Sequence, residues 1–337
     1  MKARILATLG PSSLSEEIVK QCASAGVTLF RINLSHTLIE DVAPTIQKIQ
    51  QWTDTPICLD SEGAQMRNHR MVAEDVQFRQ GEHVKIHFEP VVGDSLNISF
   101  SPNGIARQFR PLDQVSVDFD HVLMQVVDVK SDHCVAEVLH GGQVGSNKAA
   151  DLSKDLTFDA LTPKDREAIK IGRNMGISNF ALSFANRESD VAEMRAECGG
   201  DANIICKIES RQAIGNLEPI TRSADQILID RGDLSRRISI EKIPFLQRRI
   251  IATARWLDTP VFVATNLLES MITKKSPTRA EVNDVVSTLL MGANGLVLAA
   301  ETAIGNHPVG AVQMIQKIIR EADKWTPNST LSEIIRS

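Results

Sequence analysis

The chain has 337 residues, of which 42% are hydrophobic and 23% charged, and its formal net charge is −5. That length can bury one large core or two, and the mild acidity excludes a nucleic-acid partner held by bulk positive charge. No apolar run reaches bilayer-spanning length and the start, MKARILATLGPSS, has no apolar leader with a cleavage site, so neither a membrane nor a secretory route is expected.

Apolar strand candidates recur along the chain, at 3–9, 27–35, 55–61, 179–185, 203–209, 226–233, 259–265 and 295–302. Amphipathic helical stretches separate them, among them 13–26, 162–176, 278–293 and a final one at 308–324. The first opens with Ser13 or Ser15 as N-cap and closes on Gly26. Strand–helix alternation implies a parallel sheet, and eight strands predict an α/β fold of the TIM (β/α)8 barrel type, with a doubly wound open sheet as the alternative. The stretch 69–155 breaks this rhythm. Segments such as VQFRQGEHVKIHF, SLNISF, QVSVDF and HCVAEVLHGG alternate apolar and polar residues between turn signals, so an inserted small β-barrel lid is expected there. The expected organisation is therefore a discontinuous barrel, 1–68 and 156–337, with a lid domain at 69–155. Cys22, Cys58, Cys134, Cys198 and Cys206 are scattered without a CxxC pair and read as reduced thiols of a cytoplasmic protein.

Barrel enzymes gather their chemistry at the C-terminal ends of the strands. Here those ends carry Thr8; Arg31, Asn33 and Ser35; Asp60 and Ser61; Ser183; Lys207 and Glu209; Arg231 and Asp233; Thr265; and Glu301 with Thr302. Alternation along a strand puts Lys207 and Glu209 on one face. Glu209 and Asp233, on neighbouring strands, suit a hard divalent cation of the Mg²⁺ type, with Lys207 and Arg31 supplying positive charge for an anionic group. Asn33, Ser35, Asp60 and Ser61 form an all-oxygen set with one negative charge, suited to a monovalent cation. His36 is the only histidine at a strand end, which makes a histidine-ligated transition metal a poor fit. A lone Lys-x-Glu is most often an ordinary ion pair, and an Arg-Gly-Asp a turn. Their joint occurrence at consecutive strand ends points to a site.

The strings ATLGPSS, FRINLSH, LDSEG…R, LHGGQVGSNKAADL, ICKIES, DRGDL, ATNLLESMI…PTRAEVNDV and ETAIGNHP, in this order, resemble the pyruvate kinase family over nearly the whole chain. The resemblance implies transfer of a phosphoryl group from phosphoenolpyruvate to ADP, giving pyruvate and ATP. It implies Mg²⁺ (or Mn²⁺) at Glu209 and Asp233, with Lys207 and Arg31 neutralising the phosphoryl group in flight. The substrate carboxylate would rest on the N–H groups of Gly232 and Asp233 and on Thr265, with Ser183 nearby and Thr265 in the relay that protonates the enol. K⁺ would take Asn33, Ser35, Asp60 and Ser61, and Arg31, His36, Arg67 and Lys148 would face the nucleotide. A homo-oligomer is compatible with the resemblance, and the family's C-terminal regulatory domain has no counterpart in these residues.

Several positions depart from the family pattern. The motif Asp-Thr-Lys-Gly-Pro-Glu-Ile-Arg reads DSEGAQMR, so Ser61 keeps a hydroxyl, Glu62 replaces a lysine and Gln65 replaces a glutamate typical of K⁺-dependent members. Phe119 stands for an acidic lid residue, and Ser235-Arg236-Arg237 follows Asp233-Leu234 in place of Gly-Val-Glu. These departures keep two other readings open. One is a Mg²⁺ enzyme of the same superfamily acting on another enolate-forming acid, as a decarboxylase, lyase or specialised-pathway kinase. The other is a non-catalytic binding protein on this scaffold.

Overall fold

The computed structural model describes residues 3–63, 65–118, 121–154 and 156–336. It divides into two compact units, Met1–Gly63 with Ala160–Ser337, and Ala64–Asp159. Phe119 lies outside the described residues.

The larger unit is built on eight parallel strands: β1 (Arg4–Thr8), β2 (Leu29–Asn33), β3 (Ile57–Asp60), β4 (Asn179–Leu182), β5 (Asn203–Ile208), β6 (Gln226–Asp230), β7 (Val261–Ala264) and β8 (Gly295–Leu298). Each pairs with its sequence neighbour, and β1 pairs with β8 from Arg4↔Gly295 to Ala7↔Leu298, which closes the sheet into a barrel. The open-sheet alternative is thereby excluded. Strand residues alternate between two apolar environments. Leu6, Leu29, Cys58, Ala181, Ile205, Leu228, Phe262 and Val297 fill the barrel interior. Ile5, Phe30, Leu59, Phe180, Ile204, Ile227, Val263 and Leu296 pack outward with the surrounding helices. Strands buried on both faces explain why these segments are continuously apolar.

The helices between them carry their own stop and start signals. Glu16–Ala25 begins after Ser15 and ends on Gly26, whose φ of 113° only glycine adopts without strain. Pro163–Asn174 and Arg279–Leu290 both start with capping boxes, Thr162 with Asp165 and Thr278 with Glu281. Each such cap contributes about 1 kcal/mol. Glu281 also accepts from the backbone N–H and hydroxyl of Ser270, both at 2.6 Å, so the helix start braces the loop that follows β7.

The smaller unit contains a second closed barrel, of seven strands. Its core gathers Phe78, Ile86, Phe100, Phe109, Val115, Met124 and Val138. No helix among the described residues is long and apolar enough to cross a membrane. All five cysteines are free and buried. Burial pushes the thiols of Cys22 and Cys134 up to about 11 and that of Cys198 up to about 12, and it raises Cys58 and Cys206 further.

Candidate active site

Two residues beyond six of the eight plug residues, on the same interior phase, the chemistry changes. From Leu6 the phase reaches Thr8, from Leu29 Arg31, from Cys58 Asp60, from Ala181 Ser183, from Ile205 Lys207 and Glu209, and from Leu228 Asp230. A ring of charged and hydroxyl groups thus caps an apolar plug at the C-terminal ends of the strands. Arg31, Asp60, Ser183, Lys207 and Glu209 are all buried, at 8% exposure or less.

Asp60, fully buried, organises the cations. Arg31 donates to it through Nε at 2.6 Å and pairs through its terminal nitrogen as well, while Arg31 Nη1 donates to the Thr8 hydroxyl at 2.9 Å. Lys207 Nζ lies 3.3 Å from the same Asp60 oxygen, 2.8 Å from Glu209 Oε1 and 3.0 Å from the Ser183 hydroxyl. Burial alone would raise the Asp60 carboxyl, but Arg31 and Lys207 outweigh it and hold the group below the ordinary carboxylate range. Burial likewise works against the Lys207 ammonium, and the Asp60 charge, followed by that of Glu209, more than restores it. Both cations are therefore charged and fixed in place.

The carboxylates on the other side behave oppositely. Glu209 Oε2 accepts from the Phe184 N–H at 2.7 Å, and Phe184 takes a φ of 52° to present that N–H. Glu209 Oε1 is buried and its one close partner is the Lys207 ammonium, at 2.8 Å in a poorly aligned ion pair. Burial first, and then the charges of Asp233 and Asp230, push the Glu209 carboxyl up to about 8 against the pull of Lys207. Asp233 is also raised, by burial and by Asp230. Glu209, Asp230 and Asp233 each offer an oxygen within 4.8 Å of the others. Such crowding of three acids fits a divalent cation, whose charge would lower both raised groups.

The expected strand 226–233 stops at Asp230. Arg231–Arg237 is a short helix, with the Asp230 side chain accepting from the Gly232 N–H at 3.1 Å as its N-cap. Arg231 does not join the charged ring. It donates to the Thr265 carbonyl at 3.1 Å and pairs with Asp284 at 2.6 Å. Asp233 keeps its place near Glu209, and Arg236 pairs with it at 3.3 Å. The side chain of Arg237 lies outside the described residues. Thr265 has a φ of 77°, strained for a β-branched residue, and its hydroxyl donates to Asp230 Oδ1 at 2.6 Å. Gly232 packs so closely here that a Cβ on it would stand 2.9 Å from the Thr265 methyl. Asp230 is the one residue of this group absent from the strand-end reading, and its signal was the interior phase set by Leu228.

The residues expected to take a monovalent cation already have protein partners. Asn33 ends β2, but Ser35 sits on a short 3₁₀ turn, Leu34–His36, and donates its N–H to Asn33 Oδ1 at 3.1 Å. The Ser61 hydroxyl accepts from the Ser183 N–H at 2.9 Å. An ion there would share these oxygens with existing partners. Beside the ring, a cleft of about 700 Å³ is lined by Gly10, Pro11, Arg31, Asn33, His36 and Lys48, among others, with His36 exposed. Arg67 and Lys148 belong to the smaller unit. There Arg67 donates to the Asn147 carbonyl at 2.9 Å and Lys148 pairs with Asp118 at 3.0 Å. Glu62 is 3.9 Å from Lys164, whose ammonium donates to the Leu34 carbonyl at 2.6 Å.

Comparison with known proteins gives one consistent answer. The family model for the pyruvate kinase barrel domain matches residues 1–312. The pyruvate kinase of Thermotoga maritima is 31% identical over 330 residues, 95% of this chain and 71% of the relative. The pyruvate kinases of Thermococcus litoralis and Mycobacterium tuberculosis are 32% and 33% identical, over 96% and 94% of this chain and 70% and 69% of their own lengths.

Proposed function

The chain belongs to the pyruvate kinase family, and from that premise we propose that it moves a phosphoryl group from phosphoenolpyruvate to ADP, yielding pyruvate and ATP. The observation that carries this reading is the meeting, at the strand ends, of two buried and fixed cations, Arg31 and Lys207, with a crowded carboxylate group at Glu209 and the partly exposed Asp233.

Phosphoryl transfer needs positioning and charge stabilisation more than covalent assistance. Arg31 is held by Asp60 and Thr8, and Lys207 by Asp60, Ser183 and Glu209. Neither side chain must reorganise to face a migrating anionic group, and burial strengthens its field there. Glu209 and Asp233 would hold Mg²⁺ or Mn²⁺, which when bound supplies a positive centre for substrate oxygens. The substrate carboxylate is assigned to the Gly232 and Asp233 N–H groups and the Thr265 hydroxyl. Thr265, held at the mouth by Arg231 and Asp230, would pass a proton towards the enol carbon. The cleft along Gly10, Pro11, Asn33 and His36 supports nucleotide entry beside Arg31.

The test is pyruvate release from phosphoenolpyruvate with ADP and Mg²⁺, run with and without K⁺ and after chelation of the metal. Metal-dependent formation of pyruvate and ATP in equal amounts is the expected result. Release of pyruvate without ATP, or none at all with the metal bound, would overturn the reading in favour of another enolate-forming acid or a binding role.

A further inference from the structure

We propose that Asp230 is a specificity-determining residue: its carboxylate occupies the donors assigned to the substrate's carboxylate and so sets a threshold for acid substrates. The inference rests on the phosphoenolpyruvate reading of the site. The geometry is a convergence of two donors on one oxygen. The Thr265 hydroxyl reaches Asp230 Oδ1 at 2.6 Å and the Gly232 N–H reaches the same atom at 3.1 Å. Helix capping accounts for the Gly232 contact alone. It does not account for Thr265, which comes from the end of a different strand, β7, and holds its hydroxyl there from a strained backbone.

An incoming carboxylate meets two obstacles at this point. Gly232 and Thr265 must release an anion to which they already donate, and charge-assisted bonds of that kind are the strong ones. The displaced or remaining Asp230 charge also repels a second carboxylate at short range. Asp230 makes no ion pair among the described residues: Arg31 and Lys207 feel its charge only from beyond contact, whereas Arg236 pairs directly with Asp233. A substrate acid therefore binds against an internal rival built into the chain.

The experiment measures the KM for phosphoenolpyruvate at saturating Mg²⁺ and ADP, together with its dissociation constant by calorimetry, for the parent, Asp230→Asn and Asp230→Ala. Asp230→Ala frees both donors and removes the charge, so both constants fall at least tenfold. Asp230→Asn loses the charge but keeps an acceptor oxygen for Thr265 and Gly232, with an amide NH2 in place of the second oxygen, so its fall is smaller. A residue that only capped the helix would lower kcat and the melting temperature in Asp230→Ala and leave phosphoenolpyruvate no tighter. If the parent turns over phosphoenolpyruvate and neither variant tightens it, this inference alone is refuted. If the parent and both variants neither bind nor convert it, the kinase reading fails and takes the inference with it.

Discussion

Replacing Lys207 by methionine separates what this ammonium does for the fold from what it does for chemistry. Lys207 is 5% exposed and stands between Asp60 and Glu209. Removing one partner of a buried ion pair costs about 3–5 kcal/mol when the other is left charged. Two features reduce that figure here. Asp60 keeps Arg31, and the Glu209 carboxyl, already pushed up to about 8 with Lys207 present, rises further without it and stays protonated at neutral pH. The metal-free variant should therefore lose only about 1–2 kcal/mol at pH 7, a few degrees in melting temperature for a unit of this size. The sign of the pH dependence follows from linkage. A carboxyl raised in the folded state makes stability fall with rising pH from the ordinary carboxylate range up to its folded pKa. The parent's curve should flatten near pH 8, whereas the variant's continues downward. Turnover should drop about 10²–10³-fold, the usual loss for one preorganised charge at a transition state. Thermal melts of the metal-free proteins from pH 6 to 9.5, with pyruvate formation measured alongside, read both effects. A variant within tenfold of parental turnover would refute the role given to Lys207, and a loss above about 5 kcal/mol at pH 7 would refute the protonation argument.

Three further outcomes are expected. Asp60→Asn should destabilise by about 3–5 kcal/mol, because Arg31 and Lys207 are left buried without their shared counter-charge. Its urea-unfolding midpoint should also lack the acid-side loss seen in the parent, whose Asp60 contribution is present above the ordinary carboxylate pKa and lost as pH falls through the depressed one. Thr265→Gly relieves a left-handed β-branched residue and forfeits one hydrogen bond, so stability should change by no more than about 1 kcal/mol while turnover slows at least tenfold. Near pH 7, about a unit below the raised Glu209 carboxyl, binding of Mn²⁺ should expel close to one proton, since Glu209 must ionise to ligate. Calorimetry in two buffers of different ionisation enthalpy measures the release, and none detected would remove Glu209 from the cation site.

The barrel is readable in the sequence because both faces of each strand are buried, which leaves unbroken apolar runs with polar residues only at their ends. The same runs blur where a strand stops. In QILIDRGD, alternation from Arg231 to Asp233 looks like continued strand, yet the Asp230 carboxylate can cap a helix and the chain turns at that point. Counting instead from Leu228, whose side chain fills the interior, reaches Asp230 directly. Lys207 and Glu209 escape this ambiguity because they share the phase of Ile205. Nothing local in the sequence marks Thr265 as left-handed, since its conformation is imposed by Arg231 and Asp230 from another strand end.

The buried cysteines make the protein its own reporter of opening. An aromatic disulfide reagent attacks thiolate, and each sulfur here is both enclosed and held protonated at neutral pH. Modification must therefore wait for a fluctuation that exposes the side chain, and its rate counts such fluctuations. Cys134 lies in the smaller unit and the other four in the larger. Peptide-resolved labelling thus yields two independent opening rates from unaltered material, and a ligand that steadies only one unit will slow only that unit's sulfurs.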